Sequence, residues 1–152
     1  MRFVILSCLV ICTSYMFSQC TITGQTNGKM IHAENGVDTI INGQSKTVIY
    51  AEPGQALNEV FQIKVPVDTI IDYNGNMISA TINNMIFDSL SNLPPGTSHA
   101  CNPSACIFPG NSTGCVAVTG TVNTADTGLY IVNLDITADV IVFGMQQYDY
   151  II

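Results

Sequence analysis

Two stretches in which apolar and polar residues alternate predict the fold: Val60-Phe61-Gln62-Ile63-Lys64-Val65 and Leu129-Tyr130-Ile131-Val132-Asn133-Leu134-Asp135-Ile136. Such alternation is typical of a strand with one face on the core and the other in water. Other runs rich in β-branched and aromatic residues recur at short intervals, with Gly, Pro, Asn and Asp between them. Strands are predicted over residues 37–41, 47–51, 60–65, 77–87, 115–119, 129–137 and 140–143. No window sustains helical spacing, so the chain is predicted to be an all-β sandwich or barrel.

The breaks between these strands are also informative. Asn74-Gly75 predicts a two-residue hairpin turn, because both residue types tolerate positive φ. The string Val-Asp-Thr-Ile-Ile occurs at 37–41 and again at 67–71, with flanks that do not match. We interpret the two copies as separate strands in similar local surroundings. In a solenoid repeat the flanking residues would match as well. Residues 91–114, which hold four of the six Pro and two Cys, are predicted to form a long structured loop without regular secondary structure.

The chain is short, apolar and acidic. Its 152 residues are 47% apolar and carry 4 basic against 11 acidic side chains, a formal net charge of -7. Nucleic acids and anionic membrane surfaces are bound by clustered Lys and Arg, so neither is an expected partner. One compact domain is the expected organisation. Residues 65–152 contain seven Asp and no Lys or Arg. We expect this acidic half to face solvent, where divalent cations could modify its surface.

The N-terminus has the pattern of a secretory signal peptide. Arg2 is followed by an apolar run that ends a few residues before Cys20. This run is too short for a transmembrane helix of about 20 residues. We therefore predict a signal peptide over residues 1–19 and a mature domain over residues 20–152. The mature domain is expected to be secreted or held at the outer cell surface, without a transmembrane span.

Four cysteines remain in the predicted mature chain, and an even number in an exported protein predicts disulfides. They are Cys20, Cys101, Cys106 and Cys115. Three connectivities are possible, and the cluster of three cysteines means that at least one bridge is local. A zinc site with His99 is a competing interpretation, although the spacing is looser than in zinc knuckles. A lipid anchor on Cys20 is another, although the residues before it lack a good lipobox.

A further signal lies at the start of the predicted strand 129–137. Asp126, Gly128 and Tyr130 resemble a tyrosine corner, in which a Tyr hydroxyl at the head of a strand bonds back to the backbone. Position 132 is Val and the chain has no Trp, so the inter-sheet disulfide and the buried Trp of antibody domains are absent. The predicted fold class is an immunoglobulin-like β-sandwich with a disulfide-stapled loop.

Several short motifs stand out in the second half of the chain: Leu93-Pro94-Pro95-Gly96, Cys101-Asn102-Pro103-Ser104-Ala105-Cys106-Ile107-Phe108-Pro109-Gly110, Gly114-Cys115, Thr119-Gly120-Thr121 and Gly128-Leu129-Tyr130. With Gln19-Cys20, Gly54-Gln55 and residues 61–66, they resemble the N-terminal region of secreted Bacteroidetes proteins that carry a C-terminal type IX secretion sorting domain. Some of them also resemble immunoglobulin-like domains of bacterial surface proteins. The resemblance implies export and a surface role. The chain stops at Ile152 without a sorting domain, so it is expected to be a fragment or to follow another route beyond the periplasm.

No catalytic constellation is recognisable in the sequence. Only His32 and His99 could serve as bases near neutral pH. A pair of His99 with Cys101 would need a thiolate, which a disulfide removes. We expect no enzymatic activity, no cofactor and no bound metal.

The predicted function is that of a non-catalytic secreted or cell-surface module for adhesion, spacing or recognition, with an unknown protein or polysaccharide as its partner. The loop 101–115 is the candidate contact region, and structural stapling is the competing explanation of that loop. The alternative function is an accessory domain of an exported hydrolase whose catalytic part lies outside this chain.

Overall fold

The described residues of the computed structural model, 20–73 and 75–151, form eleven β-strands and no helix. The predicted signal peptide, residues 1–19, lies outside the described residues. In chain order the strands are β1 (Ile31–Ala33), β2 (Val37–Ile41), β3 (Gln44–Val48), β4 (Ala56–Lys64), β5 (Asp68–Tyr73), β6 (Asn76–Ser91), β7 (Thr97–Asn102), β8 (Ile107–Pro109), β9 (Thr113–Thr121), β10 (Asn133–Val142) and β11 (Met145–Ile151). The all-β prediction is confirmed. Within the same residues, no helix has the length and hydropathy that crossing a bilayer requires.

The strands pair antiparallel in three sheets. The first sheet has the order β1-β4-β9-β7, and the second has the order β11-β10-β6-β5. The short strand β8 pairs with β6 beyond the end of β5, on the side of β6 away from β10. Strands β2 and β3 form a separate hairpin. Tyr73 pairs with Asn76, which confirms the predicted hairpin between β5 and β6.

The two large sheets share one apolar core and form a sandwich. The first sheet contributes Ile63, Cys101 and Val116, whereas the second contributes Ile71, Ala80, Ile82, Met85, Phe87, Ile136, Ala138, Val140 and Val142. Phe108 of β8 lies in the same core and is fully buried. A sheet must bury its apolar face against another element, and here each sheet covers the other.

One predicted strand begins later than expected. Residues 129–137 were predicted to be a single strand, but β10 starts at Asn133. The partner strand β6 ends at Ser91, which lies opposite Asn133. Residues 129–132 therefore have no partner on β6, and β propensity alone does not form a strand without one. The separately predicted strand 140–143 overlaps only the last three residues of β10, which ends at Val142.

The prediction of an irregular loop over residues 91–114 is wrong in part, because this stretch contains β7 and β8. These strands are short and flanked by Pro, so their pattern is weak in the sequence.

Two of the motifs that carry the family resemblance meet in the fold. Gly96 of the Leu-Pro-Pro-Gly turn accepts a hydrogen bond on its carbonyl from the N–H of Thr121 at 3.1 Å. A Cβ on Gly96 would lie 2.3 Å from the Thr121 oxygen, and a Cβ on Gly120 would lie 2.1 Å from the Gly96 oxygen. Both glycines have positive φ, 87° and 142°. Glycine is needed at both positions because the two backbones touch.

Candidate functional site

The cysteine loop crosses from one sheet to the other. Strand β7 pairs with β9 in the first sheet, and β8 pairs with β6 in the second. Cys101 and Cys106 are joined at this crossing, with Cα atoms 5.3 Å apart. The Cys106 carbonyl also accepts the N–H of Phe87 at 3.0 Å. Because Phe108 is buried directly after the crossing, the loop is anchored on both sheets, as the stapling explanation expects.

The second disulfide joins Cys20 to Cys115 across 95 residues. Together the two disulfides use all four sulfur atoms. The zinc interpretation then has no thiolate ligands, and the pairing of His99 with Cys101 has no nucleophile. The lipid-anchor interpretation needs the sulfur of Cys20, which is bonded to Cys115 instead.

A buried glutamine holds the N-terminal segment, residues 20–26, against the outer face of the first sheet. Gln62 is fully buried and lies opposite a cysteine of β9. Its Oε1 accepts the backbone N–H groups of Thr23 at 3.0 Å and Gly24 at 3.3 Å. Its Nε2 donates to the carbonyl of Thr21 at 2.9 Å. The side chain thus satisfies backbone groups of the segment much as a neighbouring strand would.

The two histidines lie on opposite edges of the first sheet. His32 is on β1, where its Nε2 lies 3.0 Å from the Nδ2 of Asn27. His99 is on β7, with its ring centroid 5.4 Å from that of Phe87. The sheet order places β4 and β9 between them, so the fold does not bring the two possible bases together.

The proposed tyrosine corner has the expected direction but a long bond. The Tyr130 hydroxyl donates to the carbonyl of Asp126 over 3.5 Å, which is the outer limit of a hydrogen bond. Gly128 lies between them, and all three residues precede the first residue of β10. The tyrosine corner therefore stays a prediction.

Exposed carboxylates of the second sheet bond to hydroxyls on the neighbouring strand. The bonds are Thr81 Oγ1 to Asp68 at 3.0 Å, Ser89 Oγ to Asp135 at 2.5 Å and Thr137 Oγ1 to Asp88 at 2.6 Å. A hydroxyl can donate to a carboxylate without bringing a second charge. These hydroxyl groups give the Asp side chains hydrogen-bond donors in a half of the chain that contains no Lys or Arg.

Asp139 does not follow the prediction that the acidic half faces solvent. It is buried, and its Oδ2 accepts hydrogen bonds from Asn83 at 2.6 Å and Asn84 at 3.3 Å. The register of β10 on β6 shifts directly after Asp139. In the part of the chain that the structure describes, no group of three or more His, Cys, Asp or Glu side chains could hold a metal ion.

A depression of about 410 Å³ lies beside the first half of β4. Leu57 and two alanines line it together with six polar or aromatic residues: Asn35, Tyr50, Glu52, Gln55, Asn58 and Glu59. Glu59 is 1% exposed, and its two carboxylate oxygens accept the backbone N–H and the Nδ2 of Asn35 at 2.9 and 3.1 Å. Tyr50, by contrast, is 81% exposed. The site therefore combines a fixed polar wall with a freely accessible aromatic ring.

A second, smaller depression of about 210 Å³ adjoins the first. Asn58 lines both of them. The second depression lies along the N-terminal segment and includes Glu34, which accepts a hydrogen bond from the Nε2 of Gln62 at 2.7 Å. We call the two depressions together the β4 groove. No Lys, Arg or His side chain lines it.

The sequence located the cysteines but not the groove. Gln62 gave no motif, because its role depends on residues 38 to 41 positions away. Tyr50 gave none, because its neighbours in the chain do not show whether its ring is exposed. Alternation along 60–65 did mark Gln62 as facing away from the core. It was expected to face water, and the N-terminal segment covers it instead.

Comparisons with models of known protein families, with curated proteins and with solved structures find no match to this chain.

Proposed function

We propose that this chain is an exported, non-catalytic β-sandwich module that acts at the cell surface or outside the cell in adhesion, spacing or recognition. The observation that carries the proposal is the disulfide between Cys20 and Cys115. It joins the first residue after the predicted signal peptide to β9, an inner strand of the first sheet. Disulfides of this kind form and persist in oxidising compartments. Removal of the signal peptide and closure of the domain would then occur in the same compartment.

Within this proposal the sandwich is immunoglobulin-like. Constant-type immunoglobulin domains have sheets with the orders A-B-E-D and C-F-G. If β1, β4, β6, β7, β9, β10 and β11 are strands A to G, the observed orders β1-β4-β9-β7 and β6-β10-β11 agree with that pattern. Strands β5 and β8 and the β2–β3 hairpin are additions. Strands β4 and β10 carry no cysteine, so the disulfides differ from those of antibody domains.

The resemblance to secreted Bacteroidetes proteins supports the same proposal and adds a type IX route to it. The two motifs that touch at Gly96 and Gly120 belong to that resemblance. Their contact gives those glycines a structural role in this chain.

Expression of the full chain with its own N-terminus in a Gram-negative host tests the export step. We expect a mature N-terminus close to Cys20 and an intact mass lower by four hydrogens than that of the reduced chain. Peptide mapping without reduction should link Cys20 to Cys115 and Cys101 to Cys106. An uncleaved chain in which Cys20, Cys101, Cys106 and Cys115 are all free thiols would overturn the proposal.

The surface role is tested on intact cells of the organism that makes the protein. We expect added protease or a specific antibody to reach the chain without cell lysis. Retention of the mature chain inside intact cells and its absence from the medium would contradict the surface role, even if export to the periplasm occurs.

A further inference from the structure

We propose that the β4 groove binds a neutral, hydroxyl-rich glycan chain, with the ring of Tyr50 as the platform on which a sugar ring packs. The inference rests on the proposed function of a surface module and adds a ligand class to it. Its starting point is the combination of one highly exposed aromatic ring with several amide groups and no cation.

The ring of Tyr50 does not contribute to the core. It lies in the connection between β3 and β4, is 81% exposed and belongs to neither core cluster. An aromatic ring offers a large rigid apolar face, and the hydroxyl of Tyr adds a polar edge. The apolar CH face of a pyranose matches the ring face, and its hydroxyls match the polar edge.

The polar groups beside Tyr50 suit hydroxyl ligands. Gln55 and Asn58 line the groove with exposed side chains, and an amide both donates and accepts hydrogen bonds, as a sugar hydroxyl does. Glu59 is too deeply buried to contact a ligand. Its two bonds to Asn35 fix the orientation of that residue instead, so part of the wall is formed before any ligand arrives.

The charges of the groove select against ionic ligands. Glu34, Glu52 and the buried Glu59 line it, and no Lys, Arg or His does. A phosphate, sulfate or uronate group would meet carboxylates without any compensating cation. A cationic ligand would gain little, because Glu34 and Glu52 are exposed residues, and exposed ion pairs contribute about 0–1 kcal/mol.

The shape of the groove favours a chain over a single sugar. Two depressions of about 410 and 210 Å³ meet at Asn58. Each approaches or falls within the volume of typical ligand sites, roughly 300–1,000 Å³, but both are open. An extended oligosaccharide could contact both, with one ring on Tyr50 and its neighbours along β4.

The test uses the disulfide-bonded mature chain on an array of neutral glycans, followed by calorimetry with the best array ligand. We expect binding to at least one neutral oligosaccharide, and we expect Tyr50→Ala to weaken it by about tenfold or more. Phe143→Ala is the matched control, because Phe143 is 76% exposed and lies outside the groove. That variant should bind like the native chain. Equal thermal unfolding midpoints for the three proteins would establish that folding is unaffected.

Poly-lysine and a carboxymethylated form of the best neutral glycan serve as ionic probes. We expect the carboxymethylated form to bind more weakly than the neutral glycan, because its added carboxylates meet the acidic groove. Absence of binding to every neutral glycan would overturn the inference, as would unchanged binding by Tyr50→Ala. Binding of poly-lysine alone, lost in Glu52→Gln and in high salt, would also overturn it in favour of a cationic partner. None of these failures affects export or surface exposure, which are measured separately.

Discussion

The same five residues, Val-Asp-Thr-Ile-Ile, open two hairpins in this protein. In the first hairpin they form β2, which pairs with β3, and in the second they run into β5, which pairs with β6. The aspartate behaves alike in both. Asp38 accepts a hydrogen bond from Thr47 at 2.8 Å and Asp68 accepts one from Thr81 at 3.0 Å, in each case from the residue directly opposite. Local sequence therefore produced the same cross-strand pair twice.

The surroundings of the two hairpins differ completely. Ile71, at the end of the second string, is 3% exposed and lies in the sandwich core. The equivalent Ile41 is only half-buried, and β2 and β3 contribute no residue to either core cluster. A two-stranded hairpin is only marginally stable in water by itself. The same five residues therefore begin a hairpin in both places. Only the hairpin that packs against the other sheet is expected to contribute strongly to the stability of the domain.

The largest expected difference between the hairpins concerns the last isoleucine of each string. Ile71→Ala should lower the free energy of unfolding by about 2–5 kcal/mol, because it leaves a cavity in the core. Ile41→Ala should lower it by less than about 1 kcal/mol, since little apolar area is lost from water. Urea unfolding of the two variants measures both values. Similar losses for the two would show that the first hairpin is part of the cooperative unit.

The turn glycines give a second, smaller contrast. Gly43 and Gly75 have φ values of 76° and 81°, and a Cβ on either would meet no atom. The cost of alanine is therefore conformational, about 1 kcal/mol at each turn. Gly75→Ala should lower the global stability by that amount. Gly43→Ala should leave the global stability within about 0.5 kcal/mol and instead speed amide hydrogen exchange in β2 and β3. Unchanged exchange in that hairpin would contradict this expectation.

The aspartate–threonine pairs test whether the same bond has the same effect in both places. Thr81→Val removes the hydroxyl opposite Asp68 and keeps the side-chain shape, so it should cost roughly 0.5–1.5 kcal/mol in urea unfolding. Thr47→Val removes the matching bond to Asp38 and should produce no measurable change in global unfolding. A loss of the same size in both variants would mean that the hairpins unfold together.

The smallest effect concerns the titration of Asp38. The hydrogen bond from the Lys29 ammonium, with a further one from Thr47, holds the pKa of this carboxyl below its ordinary value of 3.8. These contacts favour the folded hairpin above that value, and their contribution is lost as the pH falls through the lowered pKa. Lys29→Gln should raise the Asp38 pKa toward 3.8 in an NMR titration. Lys46→Gln, which removes a lysine of β3 that is not bonded to Asp38, should not. Equal pKa values in both variants and the native chain would contradict the assignment to Lys29.

Several features could be predicted from residues near one another in the chain. The alternation at 60–65, the Asn-Gly turn and the even number of cysteines indicated strands, a hairpin and disulfides, because each depends on local geometry or simple counting. The late start of β10 could not be predicted, since it depends on where β6 ends. The two strands within residues 91–114 were missed for the same reason: their partners lie in different sheets.

The features of the candidate site likewise separate into those that the sequence shows and those that only the fold shows. The sequence by itself determined an all-β chain, its acidic character and which residues alternate on each strand, because these follow from backbone geometry and composition. Only the tertiary structure decided that Cys20 pairs with Cys115, that the N-terminal segment covers Gln62 and that Tyr50 stands exposed beside β4. The first two facts depend on contacts between residues 38 to 95 positions apart, and the third depends on how the chain packs around β4. The physical reason is that burial and strand pairing each require two segments of the chain to come together. A single stretch of sequence contains only one of those two segments.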